Sequence, residues 1–373
     1  MAAPDVVVVG AGLAGLTAAD ALAAAGRSVA VIEARDRVGG RILTVAPEAA
    51  GAGGWVDLGA TWVWEDQPSM LALAARLGVD LFPQFASGAG VVERAPTTAP
   101  ATVDLPPPSP AELRVAGGAA DLCRRLAHRL PDGSLHLATS ATEVVASGAG
   151  GMAVTVVDAG GDESGIDCRA VVVALPPRLA LERLRFTPLL PDALTAAMHG
   201  TSTWMAAAVK CVALYERPFW RDAGLAGFAS SDRGPLREVH DACTPDGSMA
   251  ALWGFLAGDD AWRAQAAADR APEVMAHLGR LFGPEAADPV QYLERDWSAD
   301  ANTADDEWWW VDGEPLAYGH PALAEPRMGG RLVWAGAETE AVGGGHMEGA
   351  VRSGHRAAAQ VAATFGGGGG SPA

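Results

Sequence analysis

Asp5-Val6-Val7-Val8-Val9-Gly10-Ala11-Gly12-Leu13-Ala14-Gly15-Leu16 stands near the start of the chain, and a helical run leads from it to Val29-Ala30-Val31-Ile32-Glu33. Four consecutive valines read as a strand buried on both faces. The strand runs straight into Gly10-x-Gly12-x-x-Gly15. In that pattern Gly10 makes the tight turn, Gly12 lets backbone approach a pyrophosphate, and Gly15 lets helix and strand pack closely. The following helix, with Ala14 in its first turn, points its free amides at the phosphates. Gly26 ends the helix, and the second strand ends at Glu33, whose carboxylate is suited to a ribose hydroxyl. Strand, glycines, helix, strand and terminal acid together point to a dinucleotide site. A tight turn without a ligand would leave Glu33 with no purpose.

The next stretch, Ala34-Arg35-Asp36-Arg37-Val38-Gly39-Gly40-Arg41-Ile42-Leu43-Thr44, is a second glycine-bearing loop with arginines. A nicotinamide enzyme would continue into another helix and strand without it. The run resembles the flavin-containing amine oxidase family, the monoamine oxidase-like flavoproteins, whose signature carries E-A-x-x-x-x-G-G-R here. The resemblance implies that Arg41 lies along the FAD pyrophosphate, with Arg35 and Gly40 also at the cofactor. Without it, Arg41 reads as a solvated loop charge.

The chain has 373 residues, enough for a large core in two lobes. Its 49% hydrophobic and 19% charged content describes a globular protein. A net charge of -18 argues against nucleic acid or an anionic membrane as partner and permits a cationic substrate. Cys123, Cys168, Cys211 and Cys243 lack C-x-x-C spacing, so no metal is expected and reduced cytoplasmic thiols are the default. The first strand begins at Asp5, so no signal peptide is expected, and no apolar run reaches the ~18 residues of a membrane helix. Gly366 to Ala373 reads as a flexible tail. Nothing in the sequence speaks to oligomeric state.

Further on, Asp57-Leu58-Gly59-Ala60-Thr61-Trp62-Val63-Trp64 places small residues where backbone could lie against a flat ligand. In the family this segment passes beside the isoalloxazine ring, which implies Gly59, Ala60 and Thr61 at the cofactor and Trp62 and Trp64 facing substrate. Read alone, either tryptophan could equally be core. Ser69 to Leu77 is expected as an amphipathic helix ended by Gly78. Val91 to Pro110 reads as a connector without helical periodicity, where mitochondrial-type relatives carry a long helical insertion. The cavity is therefore expected to be more open. A helix is expected over Ala119–Leu130, then a meander of strands at Leu135–Leu137, Thr142–Ala146 and Ala153–Val157. The resemblance puts the backbone of Val144 on the adenine side. Ala170 to Ala174 is a buried strand stopped by Pro176 and Pro177.

A strand is expected from Trp204 to Tyr215, and it carries Lys210, the single lysine among 27 basic residues. Arginine is a wide, permanently charged fork, whereas lysine is a compact donor whose pKa falls on desolvation. A site needing a small titratable donor would retain lysine; a leftover on a strand edge is the alternative. The family has a lysine here, holding a water near flavin N5. Helices at Ala261–Ala268 and Pro272–Phe282 and a strand at Val290–Glu294 are expected next, and Asp296-Trp297 also matches the family. Relatives with covalent flavin have a cysteine around Asp306; here there is none, so FAD is expected to be non-covalent. Glu307 falls where the family has one aromatic of its amine-aligning cage, and His346 falls at the second. His346 alone reads equally as a structural loop histidine. Arg331 to Thr339, with Gly336 and Glu338, followed by Gly343-Gly344-Gly345-His346-Met347-Glu348 and a helix through Gln360, matches the segment that holds the ribityl phosphate and pyrimidine edge.

The resemblance implies an α/β fold: a Rossmann-like FAD-binding domain (1–78, 112–198 and 298–373) interleaved with a smaller α+β substrate domain on a mixed sheet (79–111 and 199–297). It implies hydride removal from a carbon next to an amine nitrogen, giving an imine, with dioxygen reoxidising the flavin to yield peroxide. The candidate catalytic residues are Lys210, Glu307, His346, Trp62 and Trp64; His346 and Met347 also fall at the cofactor. Two other readings stay open: a tailoring oxidase or C–C desaturase on a bulkier substrate, and a flavin-binding sensor without turnover.

Overall fold

The computed structural model describes residues 3–50, 53–95, 99–148, 150–256, 262, 264–303 and 317–366. Its centre is a parallel sheet in the order Leu135–His136, Val29–Ile32, Val6–Val9, Ala170–Val173 and Leu332–Trp334. Val6 to Val9 form the middle strand and are almost wholly inaccessible to solvent, as an apolar run paired on both edges and covered on both faces must be. Helix Leu13–Ala24 is buried at every position from Leu13 to Asp20 because helix Met347–Gly366 packs along its other side. An all-round apolar helix needs that second cover.

A second sheet carries the order Glu163–Cys168, Met152–Val157, Ser140–Ala146 and Arg185–Thr187. This corrects the expected meander. Leu135–His136 does not belong to it but pairs in parallel with Val31 and Ile32, and the third antiparallel strand is Glu163–Cys168. That strand is largely solvent-exposed and polar, so it carries no apolar alternation. The two prolines after Ala174 also do more than stop a strand: Pro177 begins a helix to Arg183, where a missing N–H is harmless.

The third sheet is mixed and seven-stranded: Gln291–Asp296, Val209–Tyr215, Ala250–Leu256, Leu236–Asp241, Leu225–Ser231, Ala89–Glu93 and Ala101–Asp104. Only Leu225–Ser231 with Ala89–Glu93 is a parallel pair. The stretch read as a connector thus supplies two strands of this sheet. Trp204 to Ala207 forms a short 3-10 turn, leaving Val209–Tyr215 as the strand. One helix, Ala267–Phe282, contains Pro272 near its start, where the lost hydrogen bond is tolerated, so the second expected helix begins earlier than Pro272.

Strand Val209–Tyr215 is buried along its whole length. Val209, Cys211, Ala213 and Tyr215 pack toward helix Ala267–Phe282, while Val212 and Leu214 pack against Val56 and Leu58 of the other lobe. Side chains alternate along a strand, so Lys210 leaves the sheet on the second face, toward that lobe. No helix among the described residues is long and apolar enough to cross a membrane.

Candidate active site

A cavity of about 480 Å³ runs along the carboxyl ends of the parallel strands, where α/β sheets place their ligands. The first turn closes it through Gly10, Gly12 and Ala14, and the second loop through Gly40 and Arg41. Gly10 adopts φ +104°, and a Cβ there would meet the Ala174 carbonyl oxygen at 2.8 Å. At Gly12 a Cβ would meet only the Gly39 carbonyl oxygen, at 4.0 Å, so the open side of this turn is cavity. Glu33 is buried; its Oε2 accepts the Ala11 N–H at 2.8 Å and its Oε1 the Arg35 N–H at 3.0 Å. Each oxygen keeps a lone pair for a diol.

Arg41 and Glu338 form a bidentate pair at 2.5 and 3.0 Å, with Arg41 on the cavity wall and Glu338 behind it. Burial opposes the guanidinium charge, but Glu338 more than offsets it and raises the Arg41 pKa. Arg35 also lines the cavity, yet its guanidinium is committed to Asp300 (2.7 Å) and Thr303 (2.6 Å), so it positions the 300–303 turn. Its Nε is buried without a partner. Ala60, Gly336, His346 and Met347 complete the predicted lining, with Met347 opening the helix whose N-terminal amides face inward.

Val144 is the correction. It lies wholly buried in the core between its sheet partners Val154 and Phe186, and the same strand meets the cavity at Ser140, Ala141 and Thr142 instead. Gly15 is not on the cavity either; it is where the first helix touches the first strand. Leu175 and Pro176, read in the sequence only as the end of a buried strand, line the cavity, as do Asn302 and Thr303, which carried no signal in the sequence. Glu307 lies outside the described residues.

Gly59 and Thr61 face away from the cavity, to Lys210. The Lys210 ammonium donates to the Gly59 carbonyl at 3.0 Å and to the Thr61 hydroxyl, directly behind Ala60. It is 1% exposed. Burial pulls its pKa down to about 7, against the attraction of Asp57. Asp57 is itself pushed up by burial; its Oδ1 accepts from Thr44 and from the Ala119 N–H, and its Oδ2 has no partner.

An aromatic wall continues from this lysine. The ammonium lies 4.0 Å from the Trp253 ring centre; Trp253 meets Trp62 at 4.9 Å and stacks on His240 at 4.8 Å. Trp62 meets Trp64 at 6.1 Å, and Trp64 meets His346 edge-on at 5.3 Å. Both predicted tryptophans are therefore half-buried wall residues, with Trp62 Nε1 donating to Gln84. Phe228 flanks His240, Glu238 bonds its Nε2, and Glu112 pairs across from Trp64. Burial raises the Glu112 pKa, as does the charge of Glu238, while His240 opposes. Glu238, His240, Trp253 and Phe255 were legible only as two-residue alternation on two neighbouring strands. Among the described residues no group of His, Cys, Asp and Glu could hold a metal ion.

Glu33→Ala is expected to weaken flavin binding roughly tenfold, the loss of charge-assisted hydrogen bonds at about 1–2 kcal/mol. It also unties the glycine turn, which Glu33 holds through Ala11. Titrating apoprotein with FAD measures this, and an unchanged dissociation constant would remove Glu33 from the site.

The sequence matches the family model described as flavin containing amine oxidoreductase over residues 13–99 and 105–362. A putative flavin-containing monoamine oxidase of Mycobacterium tuberculosis is 30% identical, over 96% of either chain. Putrescine oxidase of Kocuria rosea is 28% identical, over 96% of this chain and 95% of that one. These alignments run over 466 and 465 positions, well beyond the 373 residues here, so the relatives carry insertions that this chain lacks. The break in the family match falls at the Ala89–Asp104 hairpin. Among solved structures, putrescine oxidase bound to putrescine superposes with a TM-score of 0.80 at 25% identity, covering 96% of this chain and 99% of that one. Cyclohexylamine oxidase from Brevibacterium oxydans matches in fold, with a TM-score of 0.80 at 23% identity over 98% of this chain and 100% of that one.

Proposed function

The chain belongs to the family of flavin-containing amine oxidoreductases and is an FAD-dependent amine oxidase; on that premise we propose that its substrate is an amine bearing a second basic group, such as a diamine. One observation carries the proposal. The far end of the aromatic wall holds two carboxylates, Glu238 at the His240 ring nitrogen and Glu112 across from Trp64, and the charge of Glu238 adds to burial in raising the Glu112 pKa, against His240. A second cation between them relieves that repulsion, and the faces of Trp62, Phe228 and Trp253 favour a cation as well. The name of the putrescine oxidase relative points the same way.

FAD, held without a covalent bond, supplies the hydride acceptor and the site that dioxygen reoxidises. The chain's own residues do the placing. Gly12, Glu33, Arg41 and the first turn of helix Met347–Gly366 hold the dinucleotide. Lys210 keeps a titratable proton at Nζ behind Ala60, and the wall from Trp253 to Trp64 excludes water from the reacting carbon. Glu307 is proposed to stand with His346 where relatives have aromatics. Segments 1–78, 112–198 and 298–373 are read as the FAD-binding domain and 79–111 and 199–297 as the substrate domain. Every strand of the seven-stranded sheet comes from the latter two. Four buried free thiols favour a cytoplasmic enzyme.

Glu238→Gln tests the substrate class. It is expected to raise KM for a diamine about fivefold, ~1 kcal/mol, with kcat and the KM of a monoamine of equal length unchanged. Equal effects on both amines would end the second-cation reading.

A further inference from the structure

An amine arrives at neutral pH as an ammonium, whose nitrogen has no lone pair to give to a forming imine. Some group must take that proton. Lys210 is badly placed to do so, since its nitrogen is fully buried behind Gly59 and Thr61, which accept its protons. His240 has its Nε2 on Glu238 and its ring stacked on Trp253. His346 differs. Its Nδ1 lies 3.0 Å from the Gly344 carbonyl oxygen. A carbonyl only accepts, so Nδ1 carries the hydrogen and Nε2 carries the lone pair. Among the described residues nothing is hydrogen-bonded to that Nε2. The ring lines the cavity, stands perpendicular to Trp64, and is exposed enough to pass a proton to solvent.

Resting on the amine-oxidase reading, we infer that His346 is a general base whose Nε2 takes the proton from the substrate ammonium. The ammonium N–H bond breaks and its electron pair stays on nitrogen. A new N–H bond forms at Nε2, giving an imidazolium and the free amine, and nothing is oxidised in this step. Solvent then removes the proton. Among the described residues, which do not include Glu307, the charged neighbours are otherwise engaged: Glu338 by Arg41, Glu340 by Arg352 and Arg356, and Glu348 by the Ser69 and Met70 amides. Glu112, across from Trp64, makes no hydrogen bond to this ring.

The test is anaerobic flavin reduction by an amine from about pH 5.5 to 11, in wild type and in His346→Asn, whose amide can still donate to Gly344. Wild type is expected to show an acid limb. The variant should be about tenfold slower at pH 7 and should converge on wild type above pH ~10, where amines are free in solution. A constant ratio at all pH values, or no ratio at all, overturns the inference and leaves the amine oxidase standing. If no amine reduces the wild-type flavin, both fall. Nitrogen-15 NMR of histidine-labelled oxidised holoenzyme decides independently of turnover, should the variant fail to fold. The Nδ1–H tautomer at His346 is expected, and the Nε2–H tautomer overturns the assignment.

Discussion

Replacing Lys210 by methionine leaves the protein folded and flavin-bound and slows one half-reaction about a hundredfold, ~2.7 kcal/mol of barrier. Methionine fills the space of the stem but supplies neither charge nor donors to Gly59 and Thr61, the two residues that flank Ala60 on the cavity wall. With its pKa drawn by burial to about 7, the group is an ammonium below that pH and an amine above it. We expect the affected step to be reoxidation by dioxygen, which a buried cation favours, so the wild-type rate should fall as pH rises through about 7. The variant should be slow and flat. Stopped-flow measurement of both half-reactions is decisive, and wild-type rates in both would leave Lys210 a packing residue. Stability gives a second reading of the same residue. Its folded pKa lies below the ordinary 10.5, so between about 7 and 10.5 the unfolded chain holds the extra proton and stability rises with pH. Melting curves of Lys210→Met should lack that rise.

Gly15→Ala is expected to abolish flavin binding. A Cβ at this position would lie 2.0 Å from the Gly10 carbonyl oxygen and 3.1 Å from the Ala174 Cβ, neither of which belongs to a flexible side chain. Helix Leu13–Ala24 must then separate from strand Val6–Val9, an overpacking of about 3 kcal/mol or more in the middle of the main core. Gly26→Ala, where nothing lies within 4 Å, is the control; its positive φ costs only about 1 kcal/mol and flavin should remain. Absorbance of the purified proteins compares the two. Full flavin content in Gly15→Ala would show that helix and strand can part without harm.

The parallel half of the molecule was legible because its strands announce themselves. Val6–Val9, Val29–Ile32 and Ala170–Val173 are apolar runs with a glycine or proline within three residues of one end. Leu135–His136 was assigned to the wrong sheet because two residues carry no period, and only its pairing with Val31 and Ile32 decides where it lies. Val144 failed for a related reason: two residues along a strand, from Thr142 to Val144, is the difference between a cavity edge and a core position. In the site, Lys210 stood out because arginine fills every other basic position. His240 and Trp253 did not, since each is one residue on its strand and their stacking depends on a register set by the whole sheet.

The close packing of Met347–Gly366 along Leu13–Ala24, and the placing of Leu332–Trp334 at the margin of the parallel sheet, bear on how the protein is made. A ribosome delivers the chain at roughly 5–20 residues per second, so the first helix waits some ~15–65 s for the partner that covers it. During that interval Val6–Val9 has neither its later neighbours nor its second cover, and the nascent chain presents apolar surface that chaperones recognise. FAD meets the same delay, because one wall of its berth is the turn at Gly345–Met347. Loading of the cofactor is therefore a post-translational event, and the yellow colour of the mature enzyme marks chains whose two most distant helices have found one another.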